Sequence, residues 1–467
     1  MGTPDAIQAT DAIQEDGAGV SRQQWKWSAL AGMASYLDAG SIVALSAGMK
    51  FFEGYLGLSL GAVGFLGAIG PNAIGCAMGA FLGGRLGDRL GRKRIYQYDL
   101  LVYAAGILCV ALSVNRAMLF LGTFVVGTAV GADVPTSLAL VGEFAPAKAR
   151  GKLLGLTHVA WSMGPVIVLW LAWALAPLGL LGVRIVFLHL FLVALVTWTL
   201  RRGLAESARW REARTATQAT RHYVTALFSG AHLRALVWTA TIYLFWNLAA
   251  GTVGQFNPYI IRTLGAGDQG VSVALTSGTF FITLIVTVAV FMRFSDRSHR
   301  ARRIIWGTGA VMQVLAFSLF LVLPFSLPVI VANVLLWGTS AGLSGEAFYK
   351  VFSQELFPTM LRGTAQGITF AIARTLLGIW SFFVPGLASL GIGYIAALLT
   401  TFLAISGVVG FFFMPDTSGK SLEQIEEERA LTGTRSRARG ARGAGPGQRP
   451  WGRPTPSGAR RRRPPGR

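Results

Sequence analysis

Six residues that can carry a charge lie well inside long apolar stretches of this sequence. They are Asp38, Asp133, His158, Glu346, Lys350 and Arg374. A charged side chain at the centre of a bilayer costs about 2.5–3.5 kcal/mol on insertion scales, so such residues normally face a protein interior or a water-filled cavity. Glu346 and Lys350 are four residues apart and therefore share one face of a helix. These residues are the first candidates for a binding or coupling site.

The three acids of this set outnumber its two permanent bases. Pairing within the set therefore leaves at least one acid without a cation. A carboxyl group in low-dielectric surroundings tends to hold a proton, and it would lose that proton when a gate opened to water. This is the behaviour that a proton-coupled carrier needs. The alternative is mutual neutralisation that holds helices together, although buried ion pairs seldom repay their desolvation.

Long apolar helices must position these residues. The chain has 467 residues, of which 53% are hydrophobic and 13% charged, about half the charged share of a soluble protein. Apolar runs recur along the chain, each long enough to cross about 30 Å of hydrocarbon. We predict twelve membrane spans, at 28–49, 61–83, 96–114, 117–141, 153–175, 178–200, 234–260, 270–292, 304–323, 327–352, 364–385 and 391–413.

Every second loop between these spans is basic, for example "GGRLGDRLGRKR" (83–94) and "RFSDRSHRARR" (293–303). Because positive loops stay in the cytoplasm, we expect both termini there and the chain in the cell (inner or plasma) membrane. The net charge of +21 comes from these loops and from eleven arginines after Thr434. The lipid bilayer, and not nucleic acid, is therefore the expected partner of this charge.

The chain also repeats itself at an offset of about 210 residues, in one membrane orientation. "GRLGDRLGRKR" from Gly84 matches "MRFSDRSHRAR" from Met292, and "EFAPAKARGKLLG" from Glu143 matches "ELFPTMLRGTAQG" from Glu355. The matched pairs include Asp88 with Asp296, Arg89 with Arg297, Arg92 with Arg300, and Arg150 with Arg362. Parallel repeats of this kind are typical of rocking transporters, whose binding site lies between the halves.

The predicted fold class is an all-α membrane protein with twelve transmembrane helices in two pseudo-symmetric six-helix halves. We divide the chain into a cytoplasmic tail (1–24), a first half (25–201), a cytoplasmic central loop (202–233), a second half (234–414) and a cytoplasmic tail (415–467). The Arg/Gly/Pro-rich composition predicts disorder from about residue 431. We expect a monomer.

The loop motif resembles a known signature. Its residues Gly84, Asp88, Arg89, Gly91, Arg92 and Lys93 are similar to that of the major facilitator superfamily. "PDTSGKSLEQIEEE" (415–428) and "AESARW" (205–210) look like segments of its sugar-porter branch. The resemblance runs from Trp25 to Glu428 and implies alternating access. It implies a cytoplasmic gate built from that motif together with Glu143, Arg150, Asp296, Arg297, Arg300, Glu355 and Arg362.

The resemblance also bears on coupling and binding. Asp38 matches the first-span aspartate of proton-coupled sugar porters, which favours it as the coupling residue, with Asp133 and Glu346 next. The fourth-span arginine that partners this aspartate in the family is replaced by Thr123. A sugar-binding glutamine aligns with His158. The full set of substrate-binding candidates is His158, Trp161, Asn247, Gln255, Asn257, Glu346, Lys350, Arg374 and Trp380.

Three functions stay open at this point. The first is a secondary active transporter that moves a sugar or polyol with proton symport. The second is a proton-coupled transporter of a small organic acid, held by Lys350 and Arg374. The third is a transporter-like membrane sensor that does not translocate. The remaining histidines show no metal-ligand spacing, and we find no nucleophile–base pair or phosphate loop, so we expect no metal, cofactor or enzyme activity.

Overall fold

The computed structural model of the chain describes residues 20–202, 206–217, 225, 227–228, 230–265 and 269–428, and these are almost wholly helical. The expected N-terminal tail up to residue 19 lies outside the described residues. So does the Arg-rich segment beyond residue 428, for which disorder stays a prediction.

Seven helices form the first half. They are α1 (Arg22–Leu56), α2 (Leu60–Ile69), α3 (Ile74–Leu90), α4 (Arg92–Ala111), α5 (Arg116–Phe144), α6 (Arg150–Ala174) and α7 (Leu180–Arg201). The first helix begins six residues earlier than the predicted span. Ser21 and Gln24 form a capping box there, which satisfies backbone N–H groups at the helix start.

The central loop and the second half are also helical. The central loop contains α8 (Ala208–Thr217), and the second half consists of α9 (Gly230–Thr263), α10 (Gln269–Val286), α11 (Met292–Phe294), α12 (His299–Val322), α13 (Leu327–Leu343), α14 (Glu346–Glu355), α15 (Arg362–Leu390) and α16 (Ile392–Phe412). A single π-helical turn, Thr287–Phe291, joins α10 to α11. A further short helix, residues 422–428, follows the last span.

Eleven helical segments of the described chain are long and apolar enough to cross a membrane. The predicted span that these eleven segments lack is the third, 96–114; it corresponds to α4, which is 20 residues long and packs against α5 and α7. Its basic first turn and Asp99 lower its hydropathy. The expected twelve-helix fold is confirmed.

Two of the predicted spans contain a break in the helix. The second span breaks between α2 and α3, where Pro71 has no N–H to continue the helix. The tenth breaks between α13 and α14 at Gly345, whose φ of 76° suits glycine. A Cβ at Gly345 would also collide with the indole of Trp246. Irregular backbone within a membrane span is tolerated only where protein or water surrounds it.

The two halves meet along two related pairs of helices, α3 with α15 and α6 with α10. In the first pair the backbones touch, because a Cβ on Gly84 would overlap the carbonyl of Gly363. Such small-residue contacts let membrane helices approach closely. We call the side of the bundle that carries residues 83–94, 147–152 and 293–303 the basic side.

Candidate transport site and gate

An ion pair joins the two halves near the centre of the bundle. Asp38 Oδ2 on α1 lies 3.2 Å from Arg374 Nη2 on α15. Both side chains are buried, with 1% and 2% of their surface exposed. Thr123, which stands where the family has an arginine, donates its hydroxyl to Leu119 O within its own helix. An arginine from the opposite half has therefore taken over the role of partner to Asp38.

A chain of polar contacts leads from this pair to α9. Arg374 Nη1 donates to Asn72 Oδ1 over 2.8 Å, and Asn72 Nδ2 donates to Gln255 Oε1 over 2.6 Å. Ser46 on α1 donates to the carbonyl of Gln255 over 3.0 Å. Sequence reasoning missed Asn72. Its one signal is the Gly-Pro pair just before it, which breaks the helix and turns Asn72 towards Arg374.

A second ion pair lies within the second half. Lys350 Nζ is 3.3 Å from Glu346 Oε1, as their spacing indicated, and it donates to Ser35 Oγ on α1 over 3.4 Å. His158 on α6 faces the same acid, with its Nδ1 3.9 Å from Glu346 Oε2. The two pairs interact electrostatically, since Lys350 and Arg374 both act on Asp38. Two acids and two bases thus form one central cluster.

Aromatic rings surround the central cluster. His158 stacks on Trp161 with 5.7 Å between ring centroids, and Trp161 lies beside Asp38. On the other side, Tyr243 stacks on Tyr349 with 4.0 Å between centroids and receives a 3.5 Å hydrogen bond from Asn247. These aromatic rings pack beside the central cluster on both sides.

Three of the candidate residues lie away from the central cluster. Trp380 donates to Thr252 over 2.8 Å and packs edge-on against α16, which is a role in bundle packing. Asn257 donates to Thr276 on α10 over 3.3 Å. Asp133 binds a different arginine, Arg201, described below.

Several buried polar atoms of the centre have no hydrogen-bond partner among the described residues. They are Asp38 Oδ1, His158 Nδ1, Trp246 Nε1, Asn247 Oδ1, Glu346 Oε2 and Arg374 Nε. Buried polar groups in native proteins are normally satisfied by protein or water. This set contains both donors and acceptors, so it marks where a polar ligand or water can bind.

The gate on the basic side consists of two related copies. In the first, Asp88 accepts hydrogen bonds from the N–H groups of Gly363 and Thr364, at 3.2 and 2.6 Å, where α15 begins. In the second, Asp296 accepts hydrogen bonds from the N–H groups of Gly151 and Lys152, at 2.9 and 2.8 Å, where α6 begins. Burial raises the pKa of Asp296, although Arg302 and these amides oppose the shift. Each loop acid thus caps a helix of the opposite half.

Each of the two copies of the gate also contains a glutamate. Glu143 Oε1 lies 2.9 Å from Arg92 of its own half and 3.5 Å from Arg362 of the other half. Glu355 lies 2.7 Å from Arg302 of its own half, and 3.3 Å from an arginine of the other half, Arg150. These pairs hold the halves together on the basic side.

The repeat alignment needs one correction. Arg302, and not Arg300, is the counterpart of Arg92, because Arg300 is exposed whereas Arg302 is fully buried against Glu355. Arg89 and Arg297 are exposed as well. Sequence matching placed the pair two residues too early, since several arginines follow one another in this loop.

A second layer covers the gate. Glu206, in the segment that resembles a sugar-porter signature, accepts hydrogen bonds from the N–H groups of Arg92 and Lys93, both over 3.1 Å, beside Gly91. Thr417 donates to Glu355 over 2.6 Å. Arg209 links Glu143 O, at 2.9 Å, to the helix at 422–428. These contacts cover the residues of the predicted gate on the basic side.

This geometry can be compared with known proteins. A sequence model described as Major Facilitator Superfamily matches residues 28–382. The minor myo-inositol transporter IolF of Bacillus subtilis is 40% identical over 407 residues, covering 85% of this chain and 92% of that protein. The glucose transporter GlcP of Staphylococcus epidermidis is 26% identical over 399 residues, covering 78% and 88%.

Solved structures agree in fold. The proton:xylose symporter XylE superposes with a TM-score of 0.75 at 20% identity, covering 86% of this chain and 98% of that one. The chain belongs to the Major Facilitator Superfamily and is a transporter of its sugar-porter-like type.

Proposed function

We propose that this protein is a proton symporter for a neutral polyol, with myo-inositol as the first candidate substrate. The similarity to IolF, at 40% identity, supports the substrate class. The positive-inside rule supports a cell membrane location in which the basic side and both chain ends face the cytoplasm. The protein acts as a carrier, and its work is movement of a solute without covalent change.

One observation carries the choice of a neutral substrate. Both central cations already have an acid partner, Arg374 with Asp38 and Lys350 with Glu346. An organic acid would have to displace one of these partners and leave that acid buried without a cation, which is costly. Hydroxyl groups both donate and accept hydrogen bonds, so a polyol matches the mixed set of unpaired atoms.

The geometry suggests how hydroxyls would be held. The gap between His158 Nδ1 and Glu346 Oε2 is 3.9 Å, and neither atom has another partner among the described residues. His158 Nε2 lies 3.4 Å from the carbonyl of Ala341, which can only accept, so Nδ1 of the neutral ring is an acceptor. One substrate hydroxyl can donate to Nδ1 and a neighbouring hydroxyl to the Glu346 carboxylate. Trp246 Nε1 and Asn247 Oδ1 offer a donor and a further acceptor on α9.

The ion pair between the halves provides the coupling. A proton bound to Asp38 removes its negative charge and weakens its attraction to Arg374, so the halves can separate around the substrate. Release of that proton on the other side restores the pair. Asp38 is the coupling residue in this scheme, and Glu346 contributes to binding.

Uptake into proteoliposomes tests the proposal. Labelled myo-inositol should accumulate above its external concentration when an inward proton gradient is imposed, and a protonophore should abolish the accumulation. Preferential accumulation of a carboxylate would contradict the neutral-substrate reading. Binding of myo-inositol without any counterflow would identify a sensor instead.

A pair of matched variants tests the site. Trp246→Phe removes an indole N–H that has no partner in the described protein, whereas Trp380→Phe removes one that is bonded to Thr252 outside the cluster. Loss of one ligand hydrogen bond costs about 1 kcal/mol, or roughly fivefold in half-saturation concentration. We expect this increase for Trp246→Phe and not for Trp380→Phe.

A further inference from the structure

A second group of buried charges lies inside the first half, apart from the central cluster. Arg201, the last residue of α7, points back into the bundle and is fully buried. Its Nη1 donates to Asp133 Oδ2 over 2.8 Å, and its Nε and Nη2 donate to Leu30 O over 3.1 and 2.9 Å. The guanidinium also lies over the ring of Tyr96, 3.9 Å from its centroid. This arginine is therefore held on three sides.

A further acid, Asp99 on α4, faces the same arginine and is 6% exposed. Its Oδ1 accepts from Leu100 N over 2.6 Å, and its Oδ2 has no partner among the described residues. Asp99 follows Tyr96 by three residues on α4, so its carboxyl lies on the helix face that covers Arg201. Asp133 already accepts from Ser137 and from Arg201, so Asp99 is the acid of this group that is left without a cation.

The number of buried charges in this group also indicates that one acid carries a proton. The titratable and charged groups that face the two acids are Tyr96 from α4 and Arg201 from α7, while α1 contributes the uncharged Leu30 carbonyl. Two acids thus share one cation. Two carboxylates at one buried site seldom ionise together, and one bound proton makes this group neutral.

We propose that Asp99 is a proton-binding residue beside the Asp133–Arg201 ion pair, separate from Asp38, and that its proton exchanges with water on the basic side. The arginine that closes the site ends its helix, and the next residue, Arg202, is exposed. A swing of Arg201 towards that surface admits water to the acids. The proton then leaves a carboxyl oxygen for water, and the group carries one more negative charge until a proton returns.

Infrared spectroscopy of the purified full-length protein tests the site without any substrate. A protonated carboxyl has a carbonyl stretch that carboxylates lack. The wild-type protein should show this band at neutral pH and lose it reversibly at alkaline pH. Asp99→Asn should remove the band, whereas Asp416→Asn, at an exposed acid, should keep it.

Two infrared results would overturn the proposal. One is an unchanged band in Asp99→Asn. The other is a band that persists to the pH at which the protein unfolds, which would mean a permanently neutral side chain. Asp133→Asn provides a second test if Asp99→Asn fails to elute as a folded protein.

A flux measurement tests the transport consequence, and it alone rests on the proposed function. In proteoliposomes the proton to myo-inositol flux ratio should fall by about half in Asp99→Asn, because one of two proton sites is lost. An unchanged ratio would exclude the site from coupling. If the wild-type protein does not move myo-inositol at all, the proposed function fails, while the infrared titration still decides whether the site exists.

Discussion

The gate and the central cluster are both built from buried charges, but they differ in symmetry. In the gate, Glu143 and Glu355 each bind one arginine from their own half and one from the other half. In the centre, Asp38 comes from the first half, and Arg374 is its partner from the second half. No duplicate of that pair exists among the described residues.

The symmetric gate and the asymmetric central cluster are suited to different tasks in transport. A symmetric set of contacts can open and close without favouring any substrate, because either half can make the same bonds. An asymmetric set gives the two halves different chemistry, which a substrate and a proton can recognise. We therefore expect changes in the gate to alter which side is open, and changes in the centre to alter coupling and affinity.

The largest effect should come from Asp38→Asn. The amide cannot ionise, so proton binding no longer controls the pair with Arg374. Accumulation of myo-inositol driven by a pH gradient should fall to the equilibrium level, while counterflow continues. Uphill uptake that survives in this variant, with Asp416→Asn as the control, would remove Asp38 from the coupling role.

The next effect should come from neutralising a gate glutamate. Glu355→Gln leaves Arg150 without its anion and Arg302 with only the longer, 3.5 Å pair to Asp296, and breaking a buried pair costs about 3–5 kcal/mol. The reporter is Ser353→Cys, at a buried position, in a Cys76→Ser, Cys109→Ser background. With Glu355→Gln added, this cysteine should react with a maleimide about a hundredfold faster than when Glu355 is present, because the gate is open more often.

The same cysteine at position 353 also tests whether the two copies of the gate are equivalent. Glu143→Gln should speed labelling to a similar extent, because Glu143 has the same arrangement of partners. A large rate increase in one variant only would show that the two copies of the gate are not equivalent.

A smaller effect is expected for Asn72→Ala, which removes the link between Arg374 and Gln255. Loss of these bonds costs about 1–3 kcal/mol of the central contact between the halves, or on the order of tenfold in the fraction of molecules in which the halves are apart there. Labelling of Ala68→Cys, buried in α2 next to Gly67, which packs against Gln255, reports this separation. Asn333→Ala is the matched control, because its bond to Ala316 stays within the second half. Equal labelling in both variants would contradict a role for Asn72 in joining the halves.

The smallest effect should come from Lys350→Gln. Glu346 already neutralises this lysine, so the half-saturation concentration for a neutral polyol should change by less than about threefold, well under 1 kcal/mol. An increase of tenfold or more would mean that the lysine touches the substrate. The central cluster would then have to be reinterpreted as an anion site.

The sequence predicted the gate better than the centre, for physical reasons. Gate residues lie in short loops with distinctive spacing, so Asp88, Glu143 and their repeats could be matched directly. Arg302 was missed because neighbouring arginines blur the alignment. Arg201 was not recognised as a partner of Asp133 because the apolar run of the sixth predicted span ends at residue 200, yet its long side chain reaches back into the bundle to Asp133.

The central contacts depend on which helices face each other, and sequence spacing does not give this. The pairing of Glu346 with Lys350 was predictable because both lie on one helix. The pairing of Asp38 with Arg374 was not, since the two residues are 336 positions apart and lie in different halves. Asn72 could be found only by recognising that a helix break places a polar side chain at that depth.

The exchange of arginines across the gate has a consequence for how the chain is made. Both recorded partners of the Arg150 guanidinium, Glu355 and the carbonyl of Lys420, follow it by more than 200 residues. At a synthesis rate of about 5–20 residues per second, Arg150 waits roughly 10–40 s for its first partner to emerge. During that interval the first half must be held in the membrane with a cation at its surface, either by lipid phosphates or by the insertion machinery. Synthesis of the second half then supplies the partners that bury that charge, so the contacts of Arg150 form only after Glu355 has been made.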